Sequence, residues 1–334
     1  MIVGLTYDLQ QAYLAQGYSR EQVAELDQPE TVDALAVAIE RAGHDCRRIG
    51  HVRSLASALL AGQRWDLVFN IAEGIHGMGR EALVPALLDH HRIPYTFSDP
   101  LTLALALHKG KAKAILRDAN IATPAFAVVD SPDELGTVDL PPYPLFVKPV
   151  AEGTSRGIGP ESIVRNELDL ARVCRSLTSE LRQPVVVEEY LPGRELTVTV
   201  LGTGHRATAL GTLEVTLHGT AEPGVYSYFN KANYEGRVSY SAPRPTEDPV
   251  AAEAERLAVL AWQALGGRDA GRVDLRCDHA GSPQVIEINP LAGLHPVHSD
   301  VPILCRLRGL SYDWLIEQIL TSASERIERS ALVA

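Results

Sequence analysis

Cysteine is scarce in this 334-residue chain. Cys46, Cys174, Cys277 and Cys305 are its only four, and no two form a CxxC pair. That excludes a disulfide framework or a zinc ribbon, and the expectation is four reduced thiols in a cytoplasmic protein. Long apolar runs are also missing. None approaches the ~20 residues that cross a bilayer, so no membrane partner is expected. The opening MIVGLTYDL has no basic flank and meets Asp8 early, which reads as a first strand and not a signal peptide. Positive charge is short: 31 Lys+Arg face 42 Asp+Glu, a net charge of −11. Without a basic block, general nucleic-acid binding is excluded, although a small anion needs only a local cluster of cations. Neither GxxxxGKS/T nor GxGxxG occurs, which excludes a Walker P-loop and a dinucleotide fingerprint. There is no internal repeat and no low-complexity tract.

What is present is an ordinary globular balance, 46% apolar and 22% charged, at a length that suits two or three compact domains. The first hundred residues alternate strand and helix signals. MIVGLTY, RRIG, WDLVFN and RIPYTFS read as strands. PETVDALAVAIERAGHD carries Val32, Leu35, Ile39 and Ala42 at helical spacing, with Gly43 as its stop, and REALVPALLDHH is again helical. Such alternation predicts parallel βαβ units. TLALALHKGKAKAILRDAN reads as a helix-rich stretch, and strands dominate from about Val185. The polar stretch 217–245 reads as a lid or binding loop. A clear helix, VAAEAERLAVLAWQAL, precedes two strands around a turn.

Those two strands carry the strongest chemical signal. Strand side chains alternate faces, so Arg272 shares a face with Asp274, and Glu287 with Asn289. If Asp278 pairs with Pro283 around HAGS, Asp274 stands opposite Glu287 and Arg272 opposite Asn289. Two carboxylates and an amide oxygen suit Mg²⁺, which takes one or two protein carboxylates and completes its shell with water and phosphates. An exposed cross-strand ion pair is the competing reading. Next, FVKPVAEGTSRGIG ends a strand at Lys148 and follows it with Gly153, Thr154, Ser155 and Gly157, a loop whose backbone N–H groups can turn toward an anion. A plain Gly-rich turn is the alternative there. In VVVEEYLPGRELTV, Glu188, Glu189 and Glu195 flank a connecting segment and can hold ribose hydroxyls or merely solvate a loop. Lys109, taken alone, is a solvated lysine.

Jointly these segments resemble the ATP-grasp superfamily, and most closely the D-alanine–D-alanine ligase family. LHKGKAKAILRDANIATP resembles that family's central-domain entry, FVKPVAEGTSRGI its phosphate loop and VVVEEYLPGRELTVTVLG its adenine–ribose hinge. YSYFNKANY is similar to its mobile loop, and GRVDLRCDHAGSPQVIEINPLAGLHPVHS to its metal and oxyanion segment. The resemblance implies an α/β (α+β) ATP-grasp fold with an N-terminal Rossmann-like domain. Its divisions would be 1–98, a central subdomain 99–187 and a C-terminal subdomain 188–334, with the nucleotide cleft between the last two. It implies ATP as cofactor with two Mg²⁺, or Mn²⁺, and a homodimer. Lys109 and Lys148 would contact phosphates, with Gly153, Thr154 and Ser155 in the phosphate and substrate loop. Glu188, Glu189, Leu191 and Glu195 would lie on the adenine and ribose side. Asp274, Glu287 and Asn289 would carry the metals. Arg272 and the N–H of Gly293 would stabilise a tetrahedral oxyanion, and Lys231 would close over the γ-phosphate.

The implied activity is ATP-dependent ligation of a carboxylate to an amine through an acyl phosphate, forming a D-alanyl-D-alanine type of dipeptide for peptidoglycan precursors. Departures fall on the amino-acid side. The family's Glu-Val-Ser-like motif is not intact, and Glu25, Asp27 or Glu30 can stand in for its acid. EGIHGMGRE replaces its histidine loop, leaving Glu73 or His76 in that role. Ala232 follows Lys231 where a tyrosine is expected, with Tyr228 and Tyr234 nearby. HPVHSD turns His298 or Ser299 toward a second substrate. A related ligase with a different amino acid or amine is therefore the alternative, and a non-catalytic ATP-binding regulator is a third reading that the intact Arg272, Asp274, Glu287 and Asn289 oppose.

Overall fold

The structure, a computed structural model, describes residues 1–333 apart from 223, 228 and 231–235, with side chains described up to 329. Lys231, Ala232, Tyr228 and Tyr234 lie outside the described residues. The chain order is β1 (Ile2–Thr6), α1 (Gln10–Leu14), α2 (Pro29–Arg41), β2 (Asp45–Gly50), α3 (Val52–Leu60), β3 (Leu67–Asn70), α4 (Leu83–His90), α5 (Pro100–Leu107) and α6 (Lys109–Asp118). There follow β4 (Phe126–Val129), β5 (Leu145–Pro149), β6 (Ile163–Val164), α7 (Glu167–Leu181), β7 (Val185–Glu189), β8 (Glu195–Leu201) and β9 (Thr208–Leu217). The last are β10 (Val238–Ser241), α8 (Pro249–Leu265), β11 (Ala270–Cys277), β12 (Pro283–Asn289), α9 (Asp300–Leu307) and α10 (Tyr312–Val333).

Three sheets result. The first is parallel, in the order β2-β1-β3. RIPYTFS adds only a parallel bridge, Val68 to Tyr95, and not a full strand. The second sheet is antiparallel, β4-β7-β5-β6, and the third is antiparallel, β10-β9-β8-β11-β12. Because β10 pairs with β9, the expected loop 217–245 is shorter than the sequence reading gave it. The four cysteines are unpaired, and among the described residues no helix is long and apolar enough to cross a membrane.

Helix α2 buries Val32, Leu35 and Ile39 of the stripe that its spacing predicts, together with Ala36, while Ala42 is the half-buried residue that ends it, and Gly43 beyond it sits at φ +85° in the left-handed region. The stretch expected as one helix-rich block breaks at His108, whose φ/ψ of −86°/89° is not helical. The His108 ring accepts the Lys111 N–H and caps α6, and Lys109 N–H donates to Val150 O. The break makes Lys109 the first residue of α6 and aims it at the cleft.

Packing crosses the expected divisions. Ala106 of α5 and Ala112 and Leu116 of α6 sit with Val198, Val273 and Trp262 under the five-stranded sheet. Trp262 of α8 is fully buried and donates to Gly202 O at 3.0 Å. Residues 291–323 join Val3, Leu5, Leu35 and Ile39 in the N-terminal core, with Leu315, Ile316, Ile319 and Leu320 of α10 against α2. Asp269, itself buried, fastens these units by accepting from Phe97 N–H at 2.8 Å, Ser322 Oγ at 3.0 Å and Arg326 Nη2 at 2.9 Å.

Candidate active site

The cleft lies between the four- and five-stranded sheets. On the five-stranded side, β11 turns Val273, Leu275 and Cys277 into the core and Arg272, Asp274 and Arg276 toward the cleft. Arg272 pairs with Asn289 and Asp274 with Glu287, the register that the sequence suggests. The turn differs from the expectation. Cys277, not Asp278, pairs with Pro283, and a bulge beside Asp274 restores the register by leaving Ile286 unpaired. Asp274 accepts from Thr197 Oγ1 at 2.9 Å and from Asn289 Nδ2 at 3.1 Å. Arg272 Nη2 lies 3.5 Å from Asp274 Oδ2, and its Nη1 pairs tightly with Asp300. Burial works against the charge of Arg272, but Asp274, Asp300 and Glu287 outweigh it and keep the guanidinium protonated.

Lysines close the other side. Lys109 Nζ lies 2.8 Å from Glu287 Oε1 and donates to Glu152 O at 2.6 Å. Burial alone would raise the Glu287 carboxyl, yet Lys109, Lys148 and Arg272 hold it down at about 2. Lys148 on β5 and Lys113 on α6 take one oxygen each of Glu188, at 2.7 and 2.8 Å. All three are almost fully buried. Burial lowers Lys113 to about 8 despite Glu188, while Glu188 stays below its ordinary range because the two lysines overcome its desolvation. Glu188, expected on the adenine and ribose side, therefore has both oxygens committed to lysines, because strand alternation turns it onto the same face as Lys148. Glu195, the first residue of β8, lies 3.8 Å from Arg276, Leu191 is buried, and Glu189 N–H bonds to Ala125 O.

The loop after β5 holds Thr154 and Ser155 at φ +47° and +56°, a conformation that costs non-glycine residues free energy and is met mostly at functional sites. Ser155 Oγ donates to Tyr226 O at 2.8 Å. Gly153 is tightly placed, because a Cβ there would lie 2.1 Å from Glu25 Oε1 and the carboxylate would have to shift. Glu25 is held by Arg80 Nη2 at 2.7 Å, and Arg80 Nη1 donates to Ala151 O. Beside them a small cavity is lined by Glu25, Glu73, Glu81, Thr154, Glu287 and Gly293. Burial raises the carboxyl of Glu73, helped by Glu81 and Glu25. Burial also pushes Glu81 up to about 8.

A larger cavity of about 780 Å³ meets the first at Glu25, Thr154, Arg272 and Gly293. His295, His298, Ser299 and Asp300 line it. Ser299 Oγ accepts from His295 N–H at 2.9 Å, and a Cβ on Gly293 would lie 2.9 Å from that oxygen. His298 stacks on His295 at 4.5 Å.

Of the stand-ins for the missing acidic motif, Glu25 and Asp27 line the cavities, and of the two candidates for the histidine position Glu73 does. Glu30 is exposed on the first turn of α2. His76 does not line either cavity, because its ring turns outward to Tyr18 Oη at 2.8 Å. Sequence reading missed Lys113, Arg80, Glu81 and Asp300. The first is four residues after Lys109, one helical turn along the same face, and that spacing was its signal. The others stand at the ends of EGIHGMGRE and HPVHSD, and only long-range packing shows that these end residues face the site.

The family model described as D-ala D-ala ligase C-terminus matches residues 115–321. A D-alanine–D-alanine ligase of Bordetella petrii is 34% identical over 84% of this chain and 82% of its own length. An uncharacterised protein of Sinorhizobium fredii is 32% identical over 88% of this chain and 87% of its own. Among solved structures, a D-alanine–D-alanine ligase from Bacillus anthracis complexed with ATP superposes with a TM-score of 0.73, covering 99% of both chains at 19% identity, a likeness of fold.

Proposed function

Because the chain belongs to the D-alanine–D-alanine ligase family, we propose that it joins an amino-acid carboxylate to an amine at the expense of ATP, in a D-alanyl-D-alanine type of reaction that supplies peptidoglycan precursors. The observation that carries this reading is the meeting of Lys109, Lys148 and Arg272 with Asp274, Glu287 and Asn289 around one cleft.

A carboxylate is a poor acyl donor because it is an anion without a leaving group. Transfer of the γ-phosphoryl group of ATP converts it to an acyl phosphate, and positioning plus charge stabilisation do most of that work. Lys109 and Lys148 hold the phosphates, with the strained backbone at Thr154 and Ser155 presenting N–H groups. Glu195 takes the ribose, and the backbone around Glu189 and Leu191 takes the adenine. Glu25, Glu73 and Glu81 face the ammonium of the first amino acid, and its approach favours the ionised forms of Glu73 and Glu81. The second amine attacks the acyl carbon from the larger cavity. Arg272 and the Gly293 N–H receive the oxyanion, and inorganic phosphate leaves.

The donor set fits Mg²⁺. Glu287 stays ionised through the ordinary pH range, Asp274 is oriented by two hydrogen bonds, and Asn289 turns its amide nitrogen to Asp274, leaving its oxygen for a cation. Among the described residues no three acidic, histidine or cysteine side chains gather as a cage, which suits an ion that completes its shell with nucleotide phosphates. Mg²⁺ or Mn²⁺ held there supplies charge neutralisation for phosphoryl transfer. From the family resemblance we infer a cytoplasmic homodimer.

The test is incubation with ATP, Mg²⁺ and D-alanine, with hydroxylamine as a trap. ADP, phosphate and either D-alanyl hydroxamate or D-alanyl-D-alanine are expected. Absence of ADP across D- and L-amino acids, with hydroxylamine present, would sink the reading.

A further inference from the structure

Asp27 stands on the wall of the larger cavity and takes no part in the chemistry proposed above. Its backbone is fixed on both sides. Asp27 N–H donates to Asp8 O, and Gln10 N–H donates to Asp27 O, each at 2.9 Å. A parallel bridge to Leu9 holds it beside the chain leaving β1, and α2 begins two residues later. The side chain is held less completely. Oδ2 is shut away from solvent and, among the described residues, has no hydrogen-bond partner. A buried polar atom without a partner is costly, and in a cavity wall it is a place where a ligand's donor binds favourably. Burial, with Asp8 adding to it, raises the Asp27 carboxyl well above its usual range, as expected of a carboxyl short of counter-charge.

The cavity is large for the side chain of D-alanine, which is a methyl group. At about 780 Å³ it has the volume of a site that a drug-sized molecule fills. Gly293, whose N–H is proposed to receive the oxyanion, lines the same cavity as Asp27. The next residue, Leu294, has its carbonyl taken by Tyr312 Oη at 2.9 Å. Burial raises the Tyr312 hydroxyl, and the nearby Asp27 adds to it. Val23, Leu26, Leu294 and Ile303, all almost fully buried, give the cavity an apolar lining. Such a lining suits a methylene stem that ends in a polar head. The acceptor's α-carboxylate is provided for separately. Ser299 Oγ accepts from His295 N–H and keeps its own proton to donate, and Arg306 of α9 lines the same cavity.

We propose that the preferred acceptor is a diamino acid, with its α-carboxylate toward Ser299 and Arg306, its stem on the apolar lining and its distal ammonium on Asp27. The inference rests on the ligase reading above and narrows its second substrate. The unprotonated α-amine attacks the acyl carbon of D-alanyl phosphate. The C–N bond forms, the C–O bond to phosphate breaks, and the amine gives up one proton as inorganic phosphate leaves. The distal nitrogen, kept as ammonium by Asp27, has no lone pair with which to compete.

The experiment is an internal competition. Wild-type protein receives ATP, Mg²⁺ and D-alanine as donor, with D-lysine and D-norleucine as rival acceptors beside D-alanine itself. D-Norleucine carries a similar stem without the terminal nitrogen. Tandem mass spectrometry reads the three dipeptides and confirms the α-linkage. Expressed per free α-amine, wild type should favour D-lysine over both rivals by about tenfold or more, since a site built to meet a polar group discriminates against the analogue lacking it. Asp27→Asn and Asp27→Leu should each shift the product ratio toward D-norleucine by about tenfold. The ratio does not depend on how much of each variant is folded. A wild-type preference for D-norleucine or D-alanine overturns the proposal, and so does an unchanged ratio in an active Asn or Leu variant. If hydroxylamine trapping yields no D-alanyl hydroxamate, the ligase reading has failed instead.

Discussion

Lys109 Nζ and Glu287 Oε1, 2.8 Å apart, join the first residue of α6 to the C-terminal end of β12. The pair holds a carboxylate ionised and a lysine in place where phosphates are proposed to lie. Glu287→Gln keeps the shape and removes the charge. Turnover should fall about 10²–10³-fold or more, the scale of losing one preorganised electrostatic contact in a water-excluded site. Phosphate release with saturating ATP checks this, and near-normal turnover would remove Glu287 from the machinery.

Glu188 is a structural test of the same wall. Glu188→Gln leaves Lys113 and Lys148 buried without their shared carboxylate. The expected cost is about 3–5 kcal/mol, the usual penalty for breaking a buried pair from one side. Urea unfolding reads it, and adding Lys113→Met should recover part of the loss. A midpoint unmoved by Glu188→Gln would mean that the lysines find other partners.

Glu81 gives a pH dependence of stability. Burial first, then Glu25 and Glu287, raise its carboxyl from the ordinary 4.5 to about 8, against the pull of Arg80 and Lys109. Between those values the folded state keeps a proton that the unfolded chain has released. Its contribution is therefore complete below about 4.5 and disappears as pH rises toward 8, at up to ~1.4 kcal/mol per pH unit. Glu73 acts in the same direction. Unfolding midpoints from pH 5 to 8 should decline less steeply in Glu81→Gln than in wild type. Parallel slopes would contradict the shift.

Trp262 needs Gly271 directly above it. A Cβ on Gly271 would lie 2.4 Å from the indole and 2.7 Å from Asn289 O, with backbone on one side and a filled core on the other. Gly271→Ala should cost about 1–3 kcal/mol by overpacking, and it should displace the neighbouring Arg272. Thermal unfolding together with ATP turnover checks both effects. A variant as stable as wild type would show that the indole can shift.

Much of the proposed ATP side was legible as geometry because it is written in local order. Lys148 ends a strand, Thr154 and Ser155 follow in a glycine loop, and Asp274 and Glu287 sit on alternating positions of one hairpin. Even there the register came from a bulge beside Asp274 that no residue type announces. The amino-acid side was less legible. Glu25, Arg80 and Asp300 meet from segments far apart in sequence, and only tertiary packing brings them together. His76 points away, while Glu81, at the end of the same EGIHGMGRE segment, lines the cavity.

The seating of α10 against α2 and β1 has a consequence for how the protein is made. Val3, Leu5, Leu35 and Ile39 emerge from the ribosome early, yet Leu315, Ile316, Ile319 and Leu320, which cover them, are synthesised last. At about 5–20 residues per second, the first sheet waits on the order of tens of seconds with an apolar face uncovered. The sheets built from residues 126–289 can close in that interval. The oldest part of the nascent chain is thus the last to mature, and until then it is a natural client for chaperones.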